Sequence, residues 1–250
     1  VMNPVTTARE AELAENLARL RERLARAAQA AGRKSDEIEL LPITKFFPAT
    51  DVVILSQLGC DAFGESREQE AAAKVAECNS LKLARPIRWH MVGRIQRNKA
   101  RSIATWAHTA HSVDSAKLIA ALDRAAQRAL TEGERFQPLR VYVQLSLDGD
   151  PQRSGVDIGN PDLVDEVCGL ADSAQALEFI GLMGIPPLGA DAEECFARLA
   201  EERQRVQKSY QQPLGLSAGM SSDLEWAVKH GSTCVRVGTA LLGQRPLTSP

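Results

Sequence analysis

A chain of 250 residues, 44% apolar and 25% charged, can bury a full core as one or two domains, which excludes disorder as its main theme. Thirty lysines and arginines against 32 aspartates and glutamates leave a formal charge of −2, which argues against a chain built to hold nucleic acid or an anionic membrane. Aromatic residues are only 4%, too few for platforms that stack single-stranded bases.

In chain order, Thr7-Ala8-Arg9-Glu10 fits a capping box, and Leu13, Leu17, Leu20 and Leu24 follow at four-three-four spacing. The spacing predicts an amphipathic helix running to about Ala31 and closed by Gly32. A strand-like run follows at 38–44, then a helix at 50–58 stopped by Gly59. Further strand-like runs occupy 61–64, 87–92, 109–113, 139–147, 177–185, 214–218 and 234–242, with helical stretches between them. In the stretch after Asp114, Ile119, Leu122, Ala126 and Leu130 share one helical face. Strands alternating with helices imply parallel pairing and right-handed crossovers. Eight such units predict a closed (β/α)8 TIM barrel with an additional N-terminal helix, and no linker or composition shift divides residues 1–250, so we expect one domain.

Cys60, Cys78, Cys168, Cys195 and Cys234 are odd in number and never spaced Cys-x-x-Cys, which reads as idle thiols in a reducing compartment. No charged-then-apolar leader opens the chain, and the longest uncharged stretch, 179–190, is too short for a bilayer and carries Pro186 and Pro187. We therefore expect a cytoplasmic protein without a metal. No Gly-x-Gly-x-x-Gly, P-loop or His-Glu-x-x-His pattern is present.

In such a barrel the chemistry sits where strands end and helices begin. Lys45 ends the first strand and precedes Phe46, Phe47 and Pro48. A lysine held beside apolar groups loses hydration, which favours the neutral amine that attacks a carbonyl; the alternative is an ordinary lysine snorkelling at the rim. Gly219-Met220-Ser221-Ser222-Asp223 leads from the seventh strand into a helix, and Gly238-Thr239 follows the eighth. Loops after strands seven and eight are the usual phosphate pocket of this fold, so a lysine next door on strand one points to a phosphorylated aldehyde or ketone. Arg236 shares a strand face with Gly238; it is placed to touch a ligand ring or to pair with a carboxylate, and both readings stay open. We expect Glu65 and Arg67 to pair across the rim, Asn98 and Lys99 to form a solvated face, and His90 and His111 to be hydrogen-bonded scaffolding.

Several segments resemble the YggS/PROSC family of pyridoxal phosphate (PLP) homeostasis proteins, whose fold is that of the N-terminal barrel of alanine racemase. They are Ile43-Thr44-Lys45-Phe46-Phe47-Pro48, Phe63-Gly64-Glu65-Ser66-Arg67-Glu68-Gln69-Glu70, and Trp89-His90-Met91-Val92-Gly93-Arg94-Ile95-Gln96-Arg97-Asn98-Lys99. His111-Ser112-Val113-Asp114-Ser115, Gly181-Leu182-Met183-Gly184-Ile185-Pro186, Ser217-Ala218-Gly219-Met220-Ser221-Ser222-Asp223 and the stretch from Gly231 to Ala240 complete the series. The resemblance implies PLP as cofactor, held as an internal aldimine on Lys45, with its phosphate on Ser221, Gly238 and Thr239 and its pyridine nitrogen against Arg236. It also implies a contact from Ser66, where the family often has Asn; Ala218 stands where the family often has Met. An arginine at the ring nitrogen disfavours a protonated pyridinium and weakens the ring as an electron sink.

These expectations describe a carrier in intracellular vitamin B6 and amino-acid homeostasis with little or no turnover and no assigned catalytic residue. Apo-PLP enzymes would be its recipients. Two alternatives are an amino-acid racemase and a cofactor-free class I aldolase using Lys45. Racemisation needs bases on both faces of the substrate, and alanine racemase takes one from a second, mostly β domain that we expect this chain to lack. Tyr142, within a strand, and Tyr210, near a helix end, are poor substitutes. Without that second domain, a monomer is the expected state.

Overall fold

Apolar runs separated by glycine and proline fold as the alternation demands. The computed structural model describes residues 4–246 except Lys82. Helix α1 (Pro4–Ala30) leads into β1 (Glu39–Pro42), α2 (Ala49–Gln57), β2 (Ala62–Glu65), α3 (Glu68–Asn79), β3 (Arg88–Met91), α4 (Ala100–Trp106), β4 (Thr109–Val113) and α5 (Ala116–Thr131). The second half comprises β5 (Leu139–Ser146), β6 (Val156–Asp157), α6 (Pro161–Ser173), β7 (Leu177–Met183), α7 (Ala192–Gln207), β8 (Gly215–Ser217), α8 (Leu224–Lys229), β9 (Cys234–Val237) and α9 (Thr239–Leu242). The strands are ordered β1-β9-β8-β7-β5-β4-β3-β2, with β6 added beside the end of β5.

The pairings are parallel, and the two ends of this order meet through a bridge between Ile43 and Gly64, where Thr44 N–H donates to Gly64 O at 3.0 Å. The result is the expected (β/α)8 barrel, nearly closed: the β1–β2 seam is joined at its C-terminal end. Outward-facing residues such as Val141, Val143, Val235 and Val237 pack under the helices. A small apolar plug of Leu41, Ile43, Ala62 and Cys234 lies on the opposite strand faces, inside. Above and beside it the interior is polar: His90, His111, Ser217 and Arg236 are all buried.

Helix α1 closes the outside of the β9–β1 side. Leu13, Leu17, Leu20 and Leu24 are all buried, as their spacing requires. Asn16 Nδ2 donates to Leu241 O at 2.8 Å, Arg9 pairs with Asp51 of α2 at 2.8 Å, and Arg23 pairs with Glu225 of α8. Gly32, at φ 68, supplies the left-handed residue that stops the helix.

Three expectations need correcting. The first helix already includes Pro4, so Thr7-Ala8-Arg9-Glu10 lies within it and is no capping box. The two-residue β6 was not expected, being too short for any periodicity. The last strand stops at Val237, and residues 239–242 form a short helix: Gly238 O accepts from Leu241 N–H and Leu242 N–H at 3.1 and 2.9 Å. A four-residue apolar run satisfies either period, and the need to cover the barrel end beneath α1 decides it.

Candidate functional site

Barrel closure determines what surrounds Lys45. Strand β1 pairs with β9 in the register Leu41↔Arg236 and Pro42↔Val237, and its other neighbour is β2. Lys45 therefore emerges three residues past Pro42, with Gly238 and Thr239 on one flank and Ser66 on the other. The loop after β8 brings in Ser221, whose Oγ accepts the Ala240 N–H at 3.3 Å and keeps its own proton to donate. The expected residues thus gather around one mouth, with Arg236 inside it. Lys45 itself is exposed: the phenylalanines beside it do not bury it, so of the two readings of this lysine the structure agrees with the one that reaches solvent at the rim. Its Nζ lies 5.9 Å from the centre of the Phe46 ring.

Gly238 borders open space. A Cβ built there would meet only Ile43, at 3.8 Å or more, so the protein alone does not require glycine at this position.

Among the described residues, Arg236 pairs with no carboxylate. Its Nη1 donates to Ser217 Oγ at 2.5 Å and its Nη2 to Gly184 O at 3.4 Å. Burial pushes its guanidinium down from its usual value, because desolvation disfavours the cation. Ser217 Oγ lies 2.8 Å from His111 Nδ1, and His111 Nε2 lies 2.8 Å from His90 Nδ1. Burial pushes His90 down to about 3 and His111 well below its ordinary value, so both rings are neutral at pH 7. An arginine only donates, so Ser217 Oγ accepts from it, and the same hydroxyl is hydrogen-bonded to His111 Nδ1. His111 Nε2 and His90 Nδ1 share one hydrogen bond, and His90 Nε2 is buried without a partner among the described residues. The scaffolding role expected for these histidines takes the form of a chain of hydrogen bonds ending on Arg236. Tyr142 stacks on His111 with ring centres 4.6 Å apart. It lines a recess with Gly215 and Thr233, at the end of the barrel where strands begin, and Tyr210 packs edge-on against Phe179.

The sequence reading missed a second group under Lys45. Glu65 is fully buried and pairs with Lys74 at 2.5 Å, not with Arg67. Burial raises the Glu65 carboxyl above the ordinary carboxylate range. Phe46 adopts φ 69, a left-handed conformation that bulky residues avoid. The Glu70 and Lys74 spacing of one helical turn was the available signal, but nothing in the sequence says that α3 turns this face toward Lys45. Beside the mouth, between the ends of β2 and β3, a cleft of about 650 Å³ is lined by Phe46, Ser66, Arg67, Arg94 and Lys99 among others. Asn98 is solvated as expected, whereas Lys99 reaches Glu68 at 3.8 Å. All five cysteines are free, and among the described residues no group of three or more His, Cys, Asp or Glu is placed to hold a metal ion. No helix among them is long and apolar enough to cross a membrane.

A parallel barrel with a lysine at the end of its first strand and hydroxyl and glycine donors after its last two defines a protein of the alanine racemase barrel class. The family model described as alanine racemase, N-terminal domain, matches residues 12–246. The chain belongs to this family and, within it, to the pyridoxal phosphate homeostasis proteins. It is 62% identical over 248 residues to the protein of that name from Mycobacterium tuberculosis, covering 97% of this chain and 96% of the relative. It is 30% identical over 237 residues to the one from Escherichia coli, covering 94% and 97%. PipY of Synechococcus elongatus, solved with PLP bound, superposes with a TM-score of 0.75 at 33% identity, covering 92% of this chain and 100% of that one. Alanine racemase from Streptomyces coelicolor shares the fold at a TM-score of 0.69 and 17% identity, covering 93% of this chain and 58% of that one.

Proposed function

We propose that this chain binds pyridoxal 5'-phosphate, holds it covalently on Lys45, and serves intracellular PLP and amino-acid homeostasis with little or no turnover. The observation that carries this reading is the placement of an exposed amine, Lys45, between the Ser221, Gly238 and Thr239 donors and Ser66, above the fixed guanidinium of Arg236. The residues fit the cofactor's parts: an amine for the aldehyde, hydroxyl and backbone donors for the phosphate beside the open volume at Gly238, and Arg236 for the ring nitrogen. When bound, PLP supplies an aldehyde for the amine and a ring that withdraws electrons.

Arg236 sets the level of activity. Its guanidinium keeps a positive charge in the barrel and has no carboxylate partner among the described residues. A second positive charge on the ring nitrogen is therefore disfavoured, which weakens electron withdrawal and with it amino-acid turnover. Racemisation needs a second base, and both tyrosines lie away from the mouth. We further propose that residues 1–250 work as one domain and as a monomer in the cytoplasm, delivering PLP to apo-enzymes. The free cysteines agree with a reducing compartment, and sedimentation with and without a recipient apo-enzyme tests the last two points.

The decisive experiment is a visible absorption spectrum of the protein incubated with PLP, before and after borohydride reduction and peptide mapping. A coloured band that bleaches and leaves a pyridoxyl group on Lys45 is expected. A protein that stays colourless overturns the reading in favour of an aldolase that forms a Schiff base with its substrate and uses no cofactor.

A further inference from the structure

Lys45 stands between two peptide units that are both bonded by one helix. The Thr44 carbonyl, in the unit before it, accepts from Lys74 Nζ at 2.7 Å. The Phe46 N–H, in the unit after it, donates to Glu70 Oε1 at 2.6 Å. Glu70 and Lys74 are one turn apart on α3 and meet at 3.4 Å. Lys74 Nζ also pairs with Glu65 Oε1 at 2.5 Å, and Thr44 Oγ1 donates to that same oxygen at 2.7 Å.

Between these bonds the chain takes the left-handed turn at Phe46, which such a residue keeps only when its surroundings impose it. The Phe46 ring is held in turn by Arg245 and Arg67, whose guanidinium carbons lie 3.7 and 5.5 Å from its centre. A buried ion pair is a poor device for stability alone, since a well-packed apolar pair does as well, and Glu65 Oε2 is left buried without a partner among the described residues. What the cluster supplies is geometry. The Lys45 side chain is long and exposed, so its amine is confined mainly through the backbone at its root.

The geometry points to Glu70 and Lys74, braced by Glu65, as positioning residues that hold the 44–46 turn and so aim the Lys45 amine into the mouth. This rests on the reading of Lys45 as the attachment point for PLP, and the test separates the two. Glu70 is the residue to change, because its side chain is 25% exposed and its loss disturbs the core least. Glu70→Ala removes the acceptor of the Phe46 N–H, while Glu70→Gln keeps an oxygen there.

Two quantities are read. One is the labelling of Lys45 by trinitrobenzenesulfonate in PLP-free protein, mapped by peptide and taken as a ratio to exposed Lys117. The other is the dissociation constant for PLP from absorbance titration. Glu70→Ala should shift the labelling ratio and weaken PLP by about tenfold, the scale of one lost hydrogen bond to a charged group, while Glu70→Gln stays close to the parent in both. If Glu70→Ala does not fold, Phe46→Gly loosens the same turn without touching the helix and should shift the ratio in the same direction. An unmoved ratio and an unmoved PLP constant in the folded variants overturn the assignment. If the parent protein takes no PLP on Lys45, the functional reading fails, and the labelling ratio still decides the clamp.

Discussion

Ser217 accepts from Arg236 and shares a hydrogen bond with His111, so Ser217→Ala leaves a guanidinium and an imidazole each short of a partner inside the barrel. The expected loss is about 1–3 kcal/mol of stability, read from urea unfolding, with a shifted pH titration of the bound-PLP spectrum because Arg236 is no longer held in place. A variant with the parent's unfolding midpoint and titration would show that the chain of bonds does not fix Arg236. Lys45→Ala makes the contrasting case. The side chain is exposed and makes no hydrogen bond that the fold depends on, so stability should stay within about 0.5 kcal/mol of the parent while covalent attachment of PLP is lost. A melted, aggregated Lys45→Ala would count against a purely chemical role. Lys45, Arg236 and Gly238 were legible in the sequence because strand ends are where this fold exposes chemistry. Glu70, Lys74 and the turn at Phe46 were not, since they depend on which face α3 presents and on a backbone angle that composition does not encode. Glu65 was noticed but given the wrong partner, because proximity along the chain favoured Arg67 over a lysine two helical turns further on.

At the scale of elements, strands and helices were legible wherever an apolar run was long enough to show its period, as in α5 and β5. Both ends of the chain were misread for the same reason: a short run of residues fits more than one element until its packing is known. Loop contacts were less legible still, although one of them sets the site. Gly93 lies so close to the loop after β2 that a Cβ there would sit 2.1 Å from the backbone oxygen of Ser66. Its own carbonyl accepts from the Ser112 hydroxyl, so the ends of β2, β3 and β4 are laced together at this point. Gly93→Ala must push these loops apart, because the clashing atom is backbone and cannot rotate away. It should cost about 1–3 kcal/mol by thermal or urea unfolding and weaken PLP binding through the displaced Ser66. A variant that loses stability but binds PLP like the parent would remove Ser66 from the list of cofactor contacts.

The whole molecule is an apolar shell of strands and helices around a partly polar shaft, and that shaft makes its stability depend on pH. His90 and His111 are buried in the barrel and kept neutral, mainly by desolvation and also by the charges around them; Arg88 and Arg140 act on His90, and Arg236 on His111. In the unfolded chain both titrate near 6.5, whereas in the fold His90 takes up a proton only near pH 3 and His111 lower than its ordinary value. As the pH falls through 6.5 the unfolded state therefore binds more protons than the native state, and stability falls with it. Between pH 7 and pH 5 the loss for His90 is about 2 kcal/mol, and His111 adds to it in the same direction. His108, pushed down to about 4 but only half-buried, adds to the same trend. Glu65 acts in the opposite sense: its raised carboxyl favours the protonated fold, so it returns some stability as the pH drops through its folded value. One carboxylate does not offset two imidazoles over this range, and the net direction is a lower urea midpoint at pH 5 than at pH 7. His90→Gln, which removes one titrating group, should shrink the difference by that histidine's share even if it lowers stability at both values. An identical midpoint at pH 7, 6 and 5 would mean that water or charge reaches these rings in the folded barrel, and that they are not held neutral there.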